Sequence, residues 1–372
     1  MKKNKPIYVT KPSLPELNDL LPHLDNIWGR RVLTNQGPYH IELEERLLDY
    51  LDIPYISLFA NGTLALASAL QVLDLEGEVI TTPYSYVASS NCILWNKLKP
   101  IFVDIEPKFG NIDPNKIKNA ITDKTVAILP VHVYGNPCNV EEIKKIADEN
   151  SLKVVYDAAH CFGIKYKGES ILKHGDLSIL SFHATKVFNT FEGGAVISND
   201  LKLKQKIDSL KNFGYTGEND VSNLGLNSKM NEFQAAVGVL QLERHSVNIK
   251  KRKNVFQLYS NLLSSIKGIS ILPINRNVEH NYSYFPIFID SSAYRFTRDE
   301  LYHKLIDRGI IGRRYFYPLI TDFQIYKDLP SANAFYHPIA KKLSNQVLCL
   351  PIYPDLEPKT INAIVEIIRD DK

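Results

Sequence analysis

The sequence predicts an α/β protein with a large three-layer domain, built on a mostly parallel sheet, and a smaller C-terminal α+β domain. Three observations support this. Short β-branched segments alternate with helical segments between about residues 55 and 200, the hydrophobic pattern changes after about residue 268, and 372 residues are too many for one ordinary core. We therefore expect the large domain over residues 1–250 and the small domain over residues 251–372.

Seven short segments have the composition of strands that are covered on both faces, because they are rich in β-branched and other apolar residues. Helical segments such as 63–73 and 140–150 lie between them. This alternation favours parallel strands that are joined by helices. The predicted strands are residues 55–60, 79–82, 101–104, 127–131, 153–157, 177–182 and 195–198.

A long helix is predicted after Asn227, because apolar residues recur there at spacings of three and four. The helix would continue into a basic cluster at residues 250–253, which we interpret as a solvated helix face. The residues on the predicted apolar face are Met230, Phe233, Val237 and Leu240.

The pattern after about residue 268 predicts the smaller domain. Residues 282–289 have the composition of a strand. Thr297 and Glu300 then form a capping box that opens a helix, and Gly309 stands where that helix should end. No internal repeat or low-complexity linker precedes this part of the chain, so we expect the two domains to pack closely.

Composition and charge exclude several classes of function. The formal net charge of +3 provides no electrostatic surface for nucleic acid. No segment approaches the roughly 18 consecutive apolar residues of a membrane-spanning helix, and the basic N-terminal segment lacks the apolar run of a secretory signal. The four scattered cysteines have neither metal-binding nor disulfide spacing. We therefore expect a cytoplasmic enzyme without a metal and without nucleic-acid or membrane partners.

A single lysine near the end of a predicted strand is the first candidate catalytic residue. Lys186 follows the strand at 177–182 through a polar turn and precedes Gly193 and Gly194. In a crevice at a sheet edge, loss of water and a nearby cation lower the pKa of a lysine and make its amine nucleophilic. The alternative is an ordinary surface lysine in a loop.

An acidic residue upstream of Lys186 is the second candidate. Asp157 ends an apolar strand, so its carboxylate should face the cleft at the carboxyl edge of the sheet. A buried carboxylate needs a cationic partner, and the protonated ring nitrogen of pyridoxal 5'-phosphate (PLP) is such a partner. The alternative is that Asp157 caps the helix that follows.

A glycine turn is the candidate phosphate site. Gly62 and Thr63 follow a predicted strand and open a helix, where backbone N–H groups and a hydroxyl can hold a phosphate. Ser181 supplies a second hydroxyl, on the predicted strand that leads to Lys186. Tyr86 offers a ring that can stack on a planar cofactor. The alternative for the glycine turn is a plain helix cap, and the alternative for Tyr86 is an ordinary tyrosine in the core or in a turn. The sequence contains no GxGxxG fingerprint and no P-loop, which counts against a nicotinamide dehydrogenase and an ATPase.

Taken together, in order and in spacing, these segments resemble the DegT/StrS sugar-nucleotide aminotransferases, which have PLP fold type I, the aspartate-aminotransferase-like fold. The similarity covers nearly the whole chain, and its most specific parts are Asp157-Ala-Ala-His160 and the segment from Ser181 to Gly194. The resemblance implies that PLP is the cofactor and that Lys186 binds it covalently. It also implies that Asp157 holds the pyridine nitrogen and that His160 lies near the ring hydroxyl.

The same resemblance implies further contacts with PLP. Tyr86 would stack on the ring, in place of the phenylalanine or tryptophan that is usual in the family. The phosphate would be bound by Gly62, Thr63 and Ser181. Asn227 would reach the phosphate from the other subunit, which implies a homodimer with shared active sites.

Four residues are candidates for contacts with the substrate. His183 is polar where many members of the family carry an aromatic side chain. Arg313 and Arg314 suit a diphosphate, since guanidinium groups bind phosphate in a bidentate manner. Tyr315 follows them in the same segment. A solvated loop is the alternative for the two arginines.

Within the family, segments such as FANGTLAL and SFHATKVFNTFEGG are most similar to transaminases that make dTDP-4-amino-4,6-dideoxy-D-glucose. The resemblance implies that L-glutamate donates an amino group to dTDP-4-keto-6-deoxy-D-glucose and leaves as 2-oxoglutarate, in the biosynthesis of a surface polysaccharide such as the lipopolysaccharide O-antigen. A 3-keto-6-deoxy hexose aminotransferase and a non-catalytic sugar-nucleotide-binding regulator are the alternatives. A PLP-dependent sugar dehydratase is disfavoured, because histidine replaces the lysine in those relatives.

Overall fold

Helices and short strands alternate through most of the chain in the computed structural model, which describes residues 5–369. The helices are α1 (Leu17–Arg30), α2 (Pro38–Leu51), α3 (Gly62–Gln71), α4 (Ala88–Trp95), α5 (Pro114–Ala120), α6 (Val140–Glu149), α7 (Leu201–Leu210), α8 (Glu232–Leu263), α9 (Arg298–Asp307), α10 (Pro338–Gln346) and α11 (Pro358–Arg369). The strands are β1 (Ile7–Tyr8), β2 (Tyr55–Phe59), β3 (Glu78–Thr81), β4 (Lys99–Phe102), β5 (Thr125–Leu129), β6 (Lys153–Asp157), β7 (Lys165–Tyr166), β8 (Glu169–Ser170), β9 (Leu177–Ser181), β10 (Gly194–Ser198), β11 (Tyr215–Gly217), β12 (Asp220–Val221), β13 (Ile269–Ile271), β14 (Val278–Glu279), β15 (Phe285–Ile289), β16 (Ile310–Ile311) and β17 (Val347–Leu350). Among these described residues, no helix combines the length and the apolar character needed to cross a membrane.

Seven of the strands form the central sheet, in the order β2-β10-β9-β6-β5-β3-β4. The strands are parallel from β9 through β6, β5 and β3 to β4. Strand β10 is antiparallel to both of its neighbours, β9 and β2. The predicted mostly parallel sheet is therefore confirmed, and all the predicted strands of this sheet are present with small shifts at their ends.

Helices cover both faces of this sheet. In β6, Val154 and Tyr156 pack into one apolar core and Val155 packs into another, so successive side chains enter cores on opposite faces. Helices α2 and α6 contribute to the first core, whereas α3 and α4 contribute to the second. The predicted three-layer α/β architecture is confirmed.

A smaller α+β unit is built on the antiparallel sheet β13-β15-β17. Its core includes Phe285 from β15, Leu301 from α9 and Tyr259 from the second half of α8. Ala235, in the first half of α8, packs instead into a core of the large unit. We propose that the domain boundary lies inside this continuous helix, near residue 250.

The first strand of the chain is an exception to that division. Ile7 pairs with Ile310 in the parallel ladder of β1 and β16 and packs against the core of the small unit. The start of the described chain therefore contacts the small unit, although α1 and α2 belong to the large one.

The start of α9 agrees with the sequence pattern. Thr297 caps the helix by accepting from the Glu300 backbone N–H, and the Glu300 side chain accepts from the Thr297 backbone N–H. Gly309 follows the helix with φ +76°, a left-handed conformation that favours glycine. The predicted capping box and helix end are confirmed, and the predicted strand at 282–289 is observed over Phe285–Ile289.

One residue on the predicted apolar face of α8 is placed differently. Met230, Val237 and Leu240 are buried as expected. Phe233 is 39% exposed, because it lies in the first turn of α8, where its ring stacks on Phe191 at the surface. The prediction of a single buried face is therefore wrong at Phe233.

The basic cluster in α8 is not entirely solvated. Lys250, Lys251 and Lys253 are exposed, as predicted. Arg252 is buried, and its Nη1 donates to the carbonyl oxygen of Ile352 at 3.1 Å. Its guanidinium binds the segment that follows β17, so the prediction of a solvated face is wrong at this position.

Candidate active site

The predicted site residues converge on one edge of the central sheet. Strands β2, β6 and β9 end there at Phe59, Asp157 and Ser181, and the antiparallel β10 begins there at Gly194. Gly194 pairs with Phe59 on one side and with Ser181 on the other. The carboxyl edge of a parallel sheet is the usual place for a ligand, since loops and helix N-termini line a crevice there.

Lys186 lies in this crevice, just beyond the end of β9. Its backbone N–H donates to the His183 carbonyl at 2.8 Å, which closes the turn between the strand and the lysine. The side chain is half-buried. Burial lowers the pKa of Lys186 to about 8, although the nearby Asp157 carboxylate acts in the opposite direction. Near neutral pH its amine is therefore uncharged more often than that of a surface lysine, which suits a nucleophile.

Asp157 is buried beside Lys186, at the end of β6. Its Oδ2 accepts from the Ser89 hydroxyl at 2.8 Å, and its Oδ1 accepts from the Ala159 backbone N–H at 3.1 Å. Burial raises the pKa of Asp157, whereas these two hydrogen bonds and the charge of Lys186 oppose that rise. The contact with Ala159 is a local cap, as the alternative interpretation required, but the carboxylate also faces the lysine.

Two serines support the Asp157 carboxylate from α4 and the turn before it. The Ser89 proton lies in the bond to Asp157, so Ser85 is the donor in the 2.9 Å contact between the two hydroxyls. Both serines are buried. No pattern in the sequence singles these serines out, although both lie within three residues of Tyr86, because their contact with Asp157 depends on how α4 packs over the sheet.

We expect Ser89→Ala to lower turnover roughly tenfold, because a buried carboxylate oxygen loses its donor and the ionised form becomes less favourable. The change should be measured as kcat, together with thermal unfolding of the variant. Ser89→Thr retains a hydroxyl and is the matched control, for which near wild-type turnover is expected. Wild-type kcat in Ser89→Ala would show that this hydrogen bond does not matter for the reaction.

His160 is buried close to the same lysine, and its hydrogen bonds define its tautomer. The Tyr134 backbone N–H donates to His160 Nδ1 at 3.2 Å, so the proton of the neutral ring lies on Nε2. Nε2 is 3.3 Å from the hydroxyl of Tyr284. Burial lowers the pKa of His160 well below its ordinary value, and the charge of Lys186 acts in the same direction. His160 is therefore a neutral donor through Nε2.

Close approach of backbone segments shapes the candidate phosphate site. Asn61 caps α3 by accepting from the Leu64 N–H at 2.9 Å, and Gly62 is the first helical residue. A Cβ on Gly62 would lie 2.9 Å from Ser181 Cβ, and a Cβ on Gly194 would lie 2.6 Å from Gly62 N. Only glycine fits at these two positions. The helix N-terminus, with its free N–H groups, is thus brought against the Ser181 hydroxyl.

Two further residues that are predicted to contact the cofactor are exposed. Thr63 is exposed in the first turn of α3. Tyr86 is 65% exposed, and its phenol is close enough to influence the pKa of Lys186. Tyr86 is therefore not a core tyrosine, and its ring is accessible next to the lysine.

Asn227 lies on an exposed segment that runs alongside the end of β2. The Ala60 N–H donates to the Ser228 carbonyl at 2.7 Å, and Phe59 pairs with Lys229 in an isolated antiparallel bridge. The side chain of Asn227 is exposed. The segment that carries Asn227 therefore lies at the surface, next to the candidate phosphate site of the same chain.

His183 lies on the same turn as Lys186. Its Nδ1 accepts from the Thr185 backbone N–H at 3.3 Å, and its Nε2 is 3.6 Å from the Glu192 carboxylate. The side chain is exposed. It is therefore available to a ligand that enters the crevice from solvent.

Of the three candidate substrate residues at positions 313–315, two adjoin the crevice and one has other partners. The Tyr315 ring centroid is 5.7 Å from that of Tyr284, which contacts His160, and burial raises the pKa of Tyr315 to about 12. The exposed Arg313 is close enough to influence the pKa of Tyr315. Tyr315 and Arg313 therefore adjoin the crevice.

Arg314 has other partners. Its Nη1 donates to Asp299 at 2.8 Å, and its guanidinium lies over the rings of Tyr302 and Tyr317 at 4.6 and 4.9 Å. The contact with Asp299 engages one nitrogen of the guanidinium, and the two rings cover its faces. We therefore propose Arg313 before Arg314 as the residue that binds the diphosphate.

Comparisons with known proteins give matches to one family over nearly the whole chain. The profile of the DegT/DnrJ/EryC1/StrS aminotransferase family matches residues 18–369. The chain is 49% identical to a dTDP-4-amino-4,6-dideoxy-D-glucose transaminase of Shigella dysenteriae, with 99% of this chain and 100% of the relative covered. A protein of the same name from Escherichia coli is 50% identical, with 98% of each chain covered.

A solved structure shows the same fold at high similarity. The protein DesI, analysed in the presence of its TDP-sugar product, matches with a TM-score of 0.94 at 31% identity, over 98% of this chain and 93% of DesI. The family resemblance and the fold expected from it are confirmed. The protein belongs to the DegT/DnrJ/EryC1/StrS aminotransferase family.

Proposed function

We propose that the protein uses PLP to transfer the amino group of L-glutamate to C4 of dTDP-4-keto-6-deoxy-D-glucose, which yields dTDP-4-amino-4,6-dideoxy-D-glucose and 2-oxoglutarate. The observation that carries the proposal is full-length identity of 49% and 50% to two transaminases named for that product. The crevice around Lys186 supports the chemistry, because it combines a nucleophilic amine with a buried carboxylate.

The residues in the crevice fit PLP. Glycine at position 62 lets the N-terminus of α3 approach the Ser181 hydroxyl, since a Cβ there would lie 2.9 Å from Ser181 Cβ. A phosphate suits that position, since N–H groups and a hydroxyl point to it. The buried carboxylate of Asp157 suits a protonated ring nitrogen, and Tyr86 offers an accessible ring for stacking.

When bound, PLP supplies the electron sink that allows a proton to leave the Cα of glutamate. Asp157 keeps a proton on the ring nitrogen through its negative charge. With the cofactor bound, the Nζ of Lys186 would move the Cα proton of glutamate to the cofactor in the first half-reaction, and would move a proton from the cofactor to C4 of the sugar in the second. His160 would donate from Nε2 to the ring oxygen of the cofactor, and Gly62, Thr63 and Ser181 would bind the cofactor phosphate and so orient the cofactor.

We further propose a homodimer in which Asn227 serves the active site of the other subunit. Two apolar side chains just before Asn227 in the chain are exposed, since Leu224 is 84% exposed and Leu226 is 44% exposed. The stacked pair Phe191 and Phe233 is also exposed. A grouping of exposed apolar residues next to a site residue is typical of a protein–protein contact.

Mixing inactive Lys186→Ala chains with Asn227→Ala chains should restore activity, because each mixed dimer would contain one site with both residues intact. Random exchange in equal amounts predicts about a quarter of wild-type activity. The measurement is amino transfer after dissociation and reassociation of the mixture, and Asn227→Ala must be clearly impaired by itself. If reassociated mixtures gain no activity, Asn227 serves its own subunit.

The proposed substrate is tested by competition between keto-sugar isomers. The keto carbon must lie within bonding distance of the transferred nitrogen, so one pocket should not serve 3-keto and 4-keto isomers equally. We expect at least a several-fold preference in kcat/KM for dTDP-4-keto-6-deoxy-D-glucose, with the amine found at C4 by NMR. A preference for the 3-keto isomer would assign the protein to the alternative substrate. Turnover of neither isomer, in a protein that binds them, would favour the regulator.

We also propose that the enzyme works in the cytoplasm, in the synthesis of a surface polysaccharide such as the O-antigen. Its four cysteines are free and buried, as expected in a reducing compartment. Deletion of the gene in its host should remove the 4-amino-4,6-dideoxyglucose residue from surface polysaccharide, as measured by sugar analysis. An unchanged composition would contradict the assignment to that pathway.

A further inference from the structure

Tyr134 contacts the cofactor side of the candidate site at His160 and the substrate side at Tyr315. The proposed mechanism does not use the side chain of Tyr134. It lies in the short turn Val133–Gly135 after β5, is 1% exposed, and has φ +56° and ψ 13°. A bulky residue in this left-handed region is unusual and needs its neighbours to hold it. Ser283 does so by donating its hydroxyl proton to the Tyr134 carbonyl at 3.0 Å.

The backbone of Tyr134 acts on the cofactor side of the crevice. Its N–H donates to His160 Nδ1 at 3.2 Å and so determines which nitrogen of His160 carries the proton. Hydrogen bonds to His160 and Ser283 therefore hold the peptide groups on both sides of Tyr134.

The side chain of Tyr134 acts on the substrate side. Its hydroxyl donates to the carbonyl oxygen of Tyr315, and its ring stacks on that of Phe316 at 6.0 Å and 7°. The Tyr84 hydroxyl is 2.6 Å from that of Tyr134, to which it donates, and 3.4 Å from the same Tyr315 carbonyl oxygen. All of these groups except Tyr315 are buried. The hydrogen bond therefore holds the Tyr315 backbone to Tyr134 in a site that excludes water.

We propose that Tyr134 is a positioning residue that sets the place of Tyr315, and with it the sugar nucleotide, relative to His160 and the cofactor. The inference rests on the proposed function and on the place of Tyr315 beside the crevice that would hold the sugar nucleotide. The proposal assigns different roles to the side chain and to the backbone of Tyr134. The hydroxyl matters for the keto-sugar half of the reaction, whereas the backbone N–H matters for both halves.

The test is Tyr134→Phe, which keeps the ring and the backbone N–H and removes only the hydroxyl. We expect KM for the keto sugar to rise roughly tenfold, as for the loss of one buried hydrogen bond, while the rate of the half-reaction with glutamate is unchanged. Calorimetric titration with dTDP-glucose, which needs no turnover, should show a similar loss of affinity. Tyr259→Phe is the matched control, because Tyr259 is a buried tyrosine in the core of the small unit.

An unchanged KM and an unchanged affinity for dTDP-glucose would overturn the proposal. An equal fall in both half-reactions would also overturn it, since it would indicate a general structural role. Tyr84→Phe is a second variant, for which a smaller effect in the same direction is expected, and it replaces Tyr134→Phe if that protein does not fold. If the wild-type protein transfers no amino group, the proposed function fails, but the titration still decides the role of Tyr134.

Discussion

Replacing Lys186 with alanine should reduce amino transfer by at least about a thousandfold, because the amine is both the covalent anchor and the base of the reaction. The lysine projects from a loop at the sheet edge and is only half-buried, so its removal should leave the fold intact. The measurements are steady-state turnover with glutamate and keto sugar, thermal unfolding, and the absorbance of the cofactor in the purified protein.

Lys144→Ala provides the control for the lysine substitution. Lys144 lies on the exposed surface of α6 and pairs with Asp148, four residues further along the helix. Its loss should change neither turnover nor cofactor absorbance. Turnover at the wild-type rate in Lys186→Ala would show that another residue performs the chemistry.

Asp157→Asn should lower turnover by about two to three orders of magnitude while part of the cofactor affinity remains. The amide oxygen can still accept from the Ala159 N–H, and the amide NH2, which takes the place of Oδ2, can donate to the Ser89 hydroxyl oxygen, so the local structure should persist. It cannot hold a proton on the ring nitrogen by charge, and the electrons released at Cα are then less well delocalised. The measurement is kcat, compared with the dissociation constant of PLP.

Asp148→Asn, on the exposed face of α6, is the corresponding control and should behave like the wild type. The alternative role of Asp157 predicts a different pattern. If the carboxylate only caps the backbone at Ala159, Asp157→Asn will lower thermal stability slightly and leave kcat near the wild-type value.

The central sheet and its ligand edge could be predicted because they follow from local patterns. Runs of apolar residues mark strands that are buried on both faces, and the first polar residue after such a run stands at the carboxyl end of a strand. Asp157 is the first polar residue after its run, and Lys186 follows its own run through a short polar turn; the structure places the two within electrostatic range of each other. The capping box of Thr297 was predictable for the same reason, since all its contacts are local.

Contacts between distant segments could not be predicted from periodicity. Ser89 reaches Asp157 from α4, and Tyr134 reaches Tyr315 in the small unit, through packing that no spacing in the sequence records. Arg314 looked equivalent to Arg313, but the fold directs its guanidinium to Asp299. Each of these outcomes depends on which element covers which face, so it became visible only in three dimensions.

The central claim is that the crevice around Lys186 is the PLP site of an aminotransferase, and chemical trapping tests it most directly. Protein reconstituted with PLP is treated with sodium borohydride, which makes a lysine–cofactor linkage permanent, and its peptides are analysed by mass spectrometry. We predict that the added mass of the reduced cofactor is found on Lys186, and that prior incubation with glutamate prevents the labelling. Labelling of a different lysine, or no labelling after reconstitution, would contradict this account.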